Sequence, residues 1–156
     1  MTTLNLAPEL NTSVNQFVKA GAHTQLVILN YLAQKIHRAS NTATPSAFFS
    51  QRVHTVLKQL QQLPRGERYQ ALEDILQEVP TRLTEAYEEL DTNMRMAFWY
   101  RLANSSQGEA LLARTQLSAW NQEQHWLLSD LDARDSNELI TFLRRAVENE
   151  NAAAIA

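Results

Sequence analysis

Apolar side chains recur along most of this chain at intervals of three and four residues, the spacing that places them on one face of an α-helix. Within residues 24–38 that face is formed by Leu26, Leu29, Ala33 and Ile36. Within residues 46–63 it is formed by Phe49, Val53, Val56, Leu57 and Leu60. The alternation typical of a β-strand never continues beyond four residues, so the pattern predicts an all-α protein.

The breaks in this pattern predict a series of short helices, because glycine, proline and polar loops interrupt helices. The chain has only three glycines and four prolines. The predicted helices are residues 10–19, 24–38, 46–63 and 67–78, a helix capped by Thr81 that continues to residue 90, an aromatic helix capped by Asp91 or Thr92, a short piece that ends at residue 113, residues 119–131, and a last helix. Asp135 and Glu138 have the spacing of a capping box at the start of that last helix.

The length and composition fit one ordinary domain. The chain has 156 residues, of which 44% are hydrophobic, enough for a core without cross-links. We predict a single helical domain over residues 1–156, with flexible ends at 1–9 and 151–156. The chain has no cysteine, which excludes disulfides, thiolate metal sites and a thiol nucleophile.

Charge and hydropathy argue against two classes of partner. The net charge of −3, with no basic stripe, disfavours a nucleic-acid-binding protein. No apolar run approaches the roughly 20 residues of a membrane span, and the first seven residues lack the basic start and apolar core of a signal peptide. The expected location is therefore the cytoplasm.

The residues that could carry catalysis are not arranged for it. No two of His23, His37, His54 and His125 are three or four positions apart, so no helix carries a local metal-binding pair. Glu85, Glu88, Glu89 and Asp91 are predicted to form a solvated face. The sequence therefore predicts no enzyme and no metal site.

Three consecutive aromatics, Phe98, Trp99 and Tyr100, interrupt this otherwise ordinary pattern. Successive helical residues point about 100° apart, so three of them cover most of a turn and do not fit one narrow stripe. At least one ring must face a second packing partner. That partner is another helix, a second subunit or a ligand.

These aromatics belong to a segment that is similar to one in a known protein family. The segment 98–102, Phe-Trp-Tyr-Arg-Leu, resembles a helix of the amino-terminal domain of the orange carotenoid protein family, to which stand-alone helical carotenoid proteins of cyanobacteria belong. Residues 140–147 are similar to a second helix of that family, at the expected distance, and Gln25, Leu26 and Asn93 match it as well. The resemblance implies an all-α fold of two interleaved helical bundles. The family's carboxy-terminal domain has no counterpart here, so we expect a stand-alone member.

The resemblance implies a carotenoid site, with a keto-carotenoid as the expected pigment if one is bound. The family's contact positions fall here on Leu26, Leu72, Met96, Trp99, Tyr100, Ile140, Thr141 and Val147. Ordinary core packing is the alternative for each of them. Two further matches, Asn93 and Arg144, imply a surface for a protein partner. For Arg144, a plain solvated arginine beside Arg145 is the alternative.

One departure from the family lies on the second predicted helix. The family has a tryptophan and, three residues later, a tyrosine that clamp a ring of the pigment. This chain has Asn30 and Ala33 at those positions. Each lost aromatic contact is worth about 1 kcal/mol beyond its buried area. The departure leaves open whether a carotenoid is bound at all.

Two functions follow from these observations. The resemblance implies photoprotection, by quenching singlet oxygen or phycobilisome excitation or by carrying the pigment. Its partners would be the phycobilisome, at the cytosolic face of the thylakoid membrane, or a separate carrier resembling the family's carboxy-terminal domain, and the family also implies chloride binding. The alternative is a pigment-free helical interaction module that keeps the fold and the partner surface.

Overall fold

The structure is a computed structural model that describes residues 3–39, 50–105 and 122–148. Within these residues all regular structure is helical, which confirms the predicted all-α class. The described helices are α1 (Thr3–Lys19), α2 (Ala22–Ala39), α3 (Gln51–Gln62), α4 (Arg65–Leu76), α5 (Arg82–Glu88), α6 (Thr92–Ala103), α7 (Gln122–Asp132) and α8 (Ser136–Val147).

Several helix boundaries differ from the prediction. Helix α1 begins at Thr3 rather than at residue 10, and α5 ends at Glu88 rather than at residue 90. Helix α3 begins at Gln51 because Ser50 is extended and its hydroxyl accepts a hydrogen bond from the backbone N–H of Arg52 at 3.2 Å. Helix α4 begins directly after Pro64, two residues earlier than predicted. The predicted helical residues 46–49, 109–113 and 119–121, and the terminal residues 1–2 and 149–156, lie outside the described part.

Three predicted caps are confirmed. Thr81 accepts from the backbone N–H of Thr84 at 3.0 Å, and Asp91 accepts from that of Met94 at 2.8 Å. At the start of α8, Asp135 accepts from the backbone N–H of Glu138 at 2.9 Å, and the Glu138 carboxylate accepts from that of Asp135 at 3.3 Å. Each cap satisfies a backbone donor that the first helical turn leaves without a partner.

Helices α2 and α6 form the centre of the molecule and pack against each other. On one side they contact the bundle of α3, α4 and α5. On the other side they contact the bundle of α1, α7 and α8. The arrangement agrees with the two interleaved helical bundles that the resemblance implied.

Residues 24–30 of α2 are buried on all sides, whereas the pattern predicted a single buried face. Leu26, Val27, Ile28 and Leu29 are consecutive and all buried, which covers a full helical turn. Buried side-chain amides of α2 donate hydrogen bonds to backbone carbonyls near the carboxyl ends of other helices. The side chain of Gln25 donates to the Phe17 carbonyl at 2.9 Å, and that of Gln34 donates to the Ala103 carbonyl at 3.0 Å.

The turn between α4 and α5 contains a non-glycine residue with a left-handed backbone. Glu78 has a φ of 59°. Its N–H donates to the carbonyl of Ile75 at 3.2 Å, and the next N–H, of Val79, donates to the carbonyl of Asp74 at 2.9 Å. This hydrogen-bond pair is the Schellman motif, whose left-handed position favours glycine.

Candidate functional site

The three aromatics of α6 all lie in the interior. Phe98, Trp99 and Tyr100 are 0%, 2% and 8% exposed. They are buried together because α6 packs against α2, α3 and α8 on different sides. The hypothesis that these rings face more than one packing partner is therefore confirmed, and other helices of the same chain supply the packing.

Trp99 is held by Tyr87, a residue of α5 that the sequence did not single out. The indole Nε1–H donates to the Tyr87 hydroxyl at 2.8 Å. The two rings lie edge to face with centroids 6.1 Å apart, and Phe98 makes the same kind of contact with Trp99 at 5.1 Å. Such pairs contribute about 0.5–1.5 kcal/mol each beyond their buried area.

Arg95 also contacts the Tyr87 ring. Its guanidinium carbon lies 5.2 Å from the Tyr87 ring centroid, within range of a cation–π interaction. The same guanidinium donates to the carbonyl of Val147 at 3.1 Å and to the carbonyl of Glu88 at 2.9 Å. Arg95 therefore joins the carboxyl ends of α8 and α5 to the start of α6.

A small cavity of about 30 Å³ lies beside the Trp99 indole. Its walls carry no formal charge and consist of Phe17, Gln25, Leu29, Ile75, Leu76, Tyr87, Trp99, Ala146 and Val147. The apolar and aromatic lining suits a polyene. The volume holds about two water molecules, whereas pockets for organic ligands measure roughly 300–1,000 Å³. A carotenoid ring would fit here only after the walls separate.

The predicted pigment contacts are distributed unevenly around this cavity. Trp99 and Val147 line it. Leu26, Leu72, Met96 and Tyr100 are buried in the core but are not among the residues that line it. Ile140 is half-buried, while Thr141 is exposed and its hydroxyl donates to the carbonyl of Asn137 at 3.0 Å.

The two residues that depart from the family pattern are both interior. Asn30 is 7% exposed and Ala33 is 0% exposed, so neither position opens to solvent. Small side chains at these positions allow α2 to approach its neighbours closely. Aromatic rings at these two positions would point into the packed interior.

A polar pair lies at the surface beside Tyr100. The Arg144 guanidinium donates to the side-chain oxygen of Asn93 at 3.3 Å, and both residues are exposed. Burial raises the pKa of Tyr100 to about 12, and the positive charge of Arg144 partly opposes that rise. Arg144 therefore binds Asn93 at the surface, and its charge also affects the pKa of the buried Tyr100.

The acidic residues and the histidine that the sequence analysis considered lie at the surface of the described part. Glu85, Glu88, Glu89 and Asp91 are exposed, as predicted, and so is His125. The described His, Asp and Glu side chains form no cluster able to hold a metal ion. A depression of about 500 Å³ with a mixed polar and apolar lining lies between α3 and α5, and none of the predicted site residues lines it. No helix in the described ranges is long and apolar enough to cross a membrane.

Comparison with known sequences places residues 3–151 under the family model described as the orange carotenoid protein, N-terminal. The chain is 28% identical over 138 residues to the orange carotenoid-binding protein of Synechocystis sp., and the match covers 86% of this chain and 43% of that protein. It is 25% identical to an orange carotenoid-binding domain-containing protein of Nostoc sp., covering 87% and 80% of the two chains. The chain thus spans less than half of the first relative.

Comparison with solved structures gives the same fold. The orange carotenoid protein of Anabaena (Nostoc) sp. binding canthaxanthin superposes with a TM-score of 0.74 at 21% identity, covering 88% of this chain and 45% of that one. The red carotenoid protein of the same organism, binding a mixture of carotenoids, superposes with a TM-score of 0.70 at 18% identity. That match covers 90% of this chain and 96% of the other.

Proposed function

The chain belongs to the orange carotenoid protein N-terminal family, and on that premise we propose that it binds a carotenoid and acts in photoprotection. The observation that carries the proposal is the buried aromatic helix. Trp99 and Val147, two positions that match family contacts, line one uncharged cavity and adjoin Tyr100 and Phe98. Aromatic and aliphatic walls suit a polyene better than any polar substrate.

The protein's part in this function is burial and orientation of the pigment. A bound carotenoid would supply the light absorption and the quenching of singlet oxygen or of phycobilisome excitation. The chain's own residues would exclude water and fix the pigment by stacking. We propose no bond-making chemistry, and a keto-carotenoid is the pigment expected. The alternative to quenching is that the protein carries the pigment from one partner to another.

The proposed partner surface is the exposed pair Asn93 and Arg144. A guanidinium at the surface suits an acidic partner group, because it presents several donors in a fixed plane. The phycobilisome, or a carrier resembling the family's carboxy-terminal domain, would dock there. The protein would then work in the cytoplasm, at the cytosolic face of the thylakoid membrane.

A pigment-free interaction module is the second candidate, and two observations favour it. The cavity beside Trp99 measures about 30 Å³, and the buried Asn30 and Ala33 replace the family's aromatic pair. A module of this kind would keep the fold and the surface of Asn93 and Arg144. Its core would be closed to pigment.

Expression of the chain in a carotenoid-producing bacterial host distinguishes the two functions. We expect purified protein with visible absorption and a carotenoid-to-protein ratio near one. A folded but colourless protein would overturn the pigment proposal and support the module. The same host without carotenoid genes provides the control, and extraction followed by chromatography identifies the pigment.

A further inference from the structure

The hydrogen bond between Trp99 and Tyr87 leaves the indole a single satisfied orientation. An indole has one polar hydrogen, on Nε1, and a buried donor without a partner costs free energy. Rotation of the ring by half a turn about its Cβ–Cγ bond would move that hydrogen away from the Tyr87 hydroxyl. Both side chains are buried, so the rotated indole has no access to bulk water.

Tyr87 in turn is fixed from two further directions. Phe98 meets its ring edge to face, with centroids 5.3 Å apart. The Arg95 guanidinium covers the ring at 5.2 Å, and its bonds to the Val147 and Glu88 carbonyls hold it in place. A tyrosine packed in this way has little freedom to follow a moving indole.

We propose that Tyr87 is a positioning residue of the pigment site, which sets the plane of the Trp99 indole that a carotenoid ring stacks on. This inference rests on the proposed carotenoid binding. Tyr87 and Trp99 line the same cavity, so the hydroxyl acts at the place where the ring would enter. Arg95 acts through Tyr87, as the group that keeps the phenol ring from turning.

If Tyr87 positions the Trp99 indole, loss of its hydroxyl should change the colour of the bound pigment as well as the amount bound. Stacking geometry changes the environment of the conjugated chain, and with it the absorption band. A tyrosine that served only to fill the core would change stability and leave the band of the bound pigment unmoved. The absorption maximum at equal occupancy therefore separates positioning from packing.

The test replaces Tyr87 by phenylalanine, which keeps the ring and removes the hydroxyl. Wild type, Tyr87→Phe and Tyr31→Phe are purified from the carotenoid-producing host, and their visible spectra are compared at equal occupancy. Tyr31→Phe is the matched control, because it removes a hydroxyl that donates to Asp132 at 2.6 Å, away from the cavity. We expect a displaced band for Tyr87→Phe alone.

The pigment-free protein provides a second measurement. Proton exchange at the Trp99 indole, followed by nuclear magnetic resonance, should be roughly five- to tenfold faster in Tyr87→Phe, the effect of losing one hydrogen bond. In a Trp99→Phe background, which lacks the donor, adding Tyr87→Phe should not displace the band further. If Tyr87→Phe fails to fold, Arg95→Lys, which removes the flat cation over the phenol, should displace the band in its place.

Two failures are distinguishable. A coloured wild type whose band and indole exchange are the same in Tyr87→Phe would overturn the positioning role and leave the proposed function intact. A wild type that remains colourless would overturn the proposed function and the pigment role of Tyr87 together. Equal displacement by Tyr87→Phe and Tyr31→Phe would also contradict the inference, since the effect would then not depend on the site.

Discussion

Arg144 donates a hydrogen bond to the side-chain oxygen of Asn93, joining residues that are 51 positions apart in the chain. The two lie on α8 and α6, and both are exposed. The residues that the resemblance assigned to a partner surface are therefore neighbours in space. A partner carboxylate that binds Arg144 would compete with the Asn93 amide, which is a weak competitor for a guanidinium.

Replacing Trp99 by serine should reduce both pigment occupancy and stability. Trp99 is almost fully buried, so its removal leaves a large cavity and costs about 3–5 kcal/mol in free energy of unfolding. Trp126→Ser is the matched control, because Trp126 is 46% exposed and its loss should cost no more than about 0.5 kcal/mol. Urea titrations of pigment-free protein and visible spectra of loaded protein measure the two effects. Equal pigment yield from wild type and a folded Trp99→Ser would exclude the proposed site.

Restoring the family's aromatic pair by Asn30→Trp with Ala33→Tyr should destabilise the pigment-free protein. Both positions are buried against neighbouring helices, so two added rings overpack the core at a cost of about 1–3 kcal/mol. With pigment present, the added rings should raise occupancy, because they provide stacking surface. Thermal melts with and without pigment check both statements. An unchanged melting temperature without pigment would show that space for the rings already exists.

The stability of the protein should fall at alkaline pH because of Tyr100. Burial raises its pKa in the folded protein to about 12, above the value of about 10 in an unfolded chain. The contribution is fully present below pH 10 and is lost as the pH rises from about 10 to 12, since only the unfolded state then ionises. Unfolding free energies at pH 8 to 11.5 should decline less in Tyr100→Phe than in wild type. Parallel curves for the two proteins would contradict this assignment.

Glu78→Gly should stabilise the protein by roughly 1 kcal/mol. Glu78 has a φ of 59°, a conformation that costs a residue with a Cβ about 1–2 kcal/mol and that glycine adopts freely. Part of the gain is offset because glycine has more freedom in the unfolded chain. Glu89→Gly, at an exposed residue with a right-handed backbone, is the control and should destabilise. A lower melting temperature for Glu78→Gly would refute this account.

The features that the sequence predicted well are local ones. The caps at Thr81, Asp91 and Asp135 each depend on a side chain and a backbone group three residues apart, so the local sequence contains all that is needed. The bond from Trp99 to Tyr87 was not predictable, because no local rule relates a residue of α6 to one of α5. The only sign in the sequence that residues 24–30 are buried on every side was the apolar run 26–29, and the prediction of a single buried face did not take it into account. The exposure of Thr141 likewise depends on how α8 is turned against its neighbours.

The central position of α2 has a consequence for how the molecule opens. It packs against helices of both bundles, so local fraying of α4 or α7 alone should not expose its backbone amides. In a native-state hydrogen-exchange experiment, the amides of residues 26–34 should exchange only through global unfolding. If these amides exchange in that way, a carotenoid that enters the interior should do so by separation of the bundles around an intact α2.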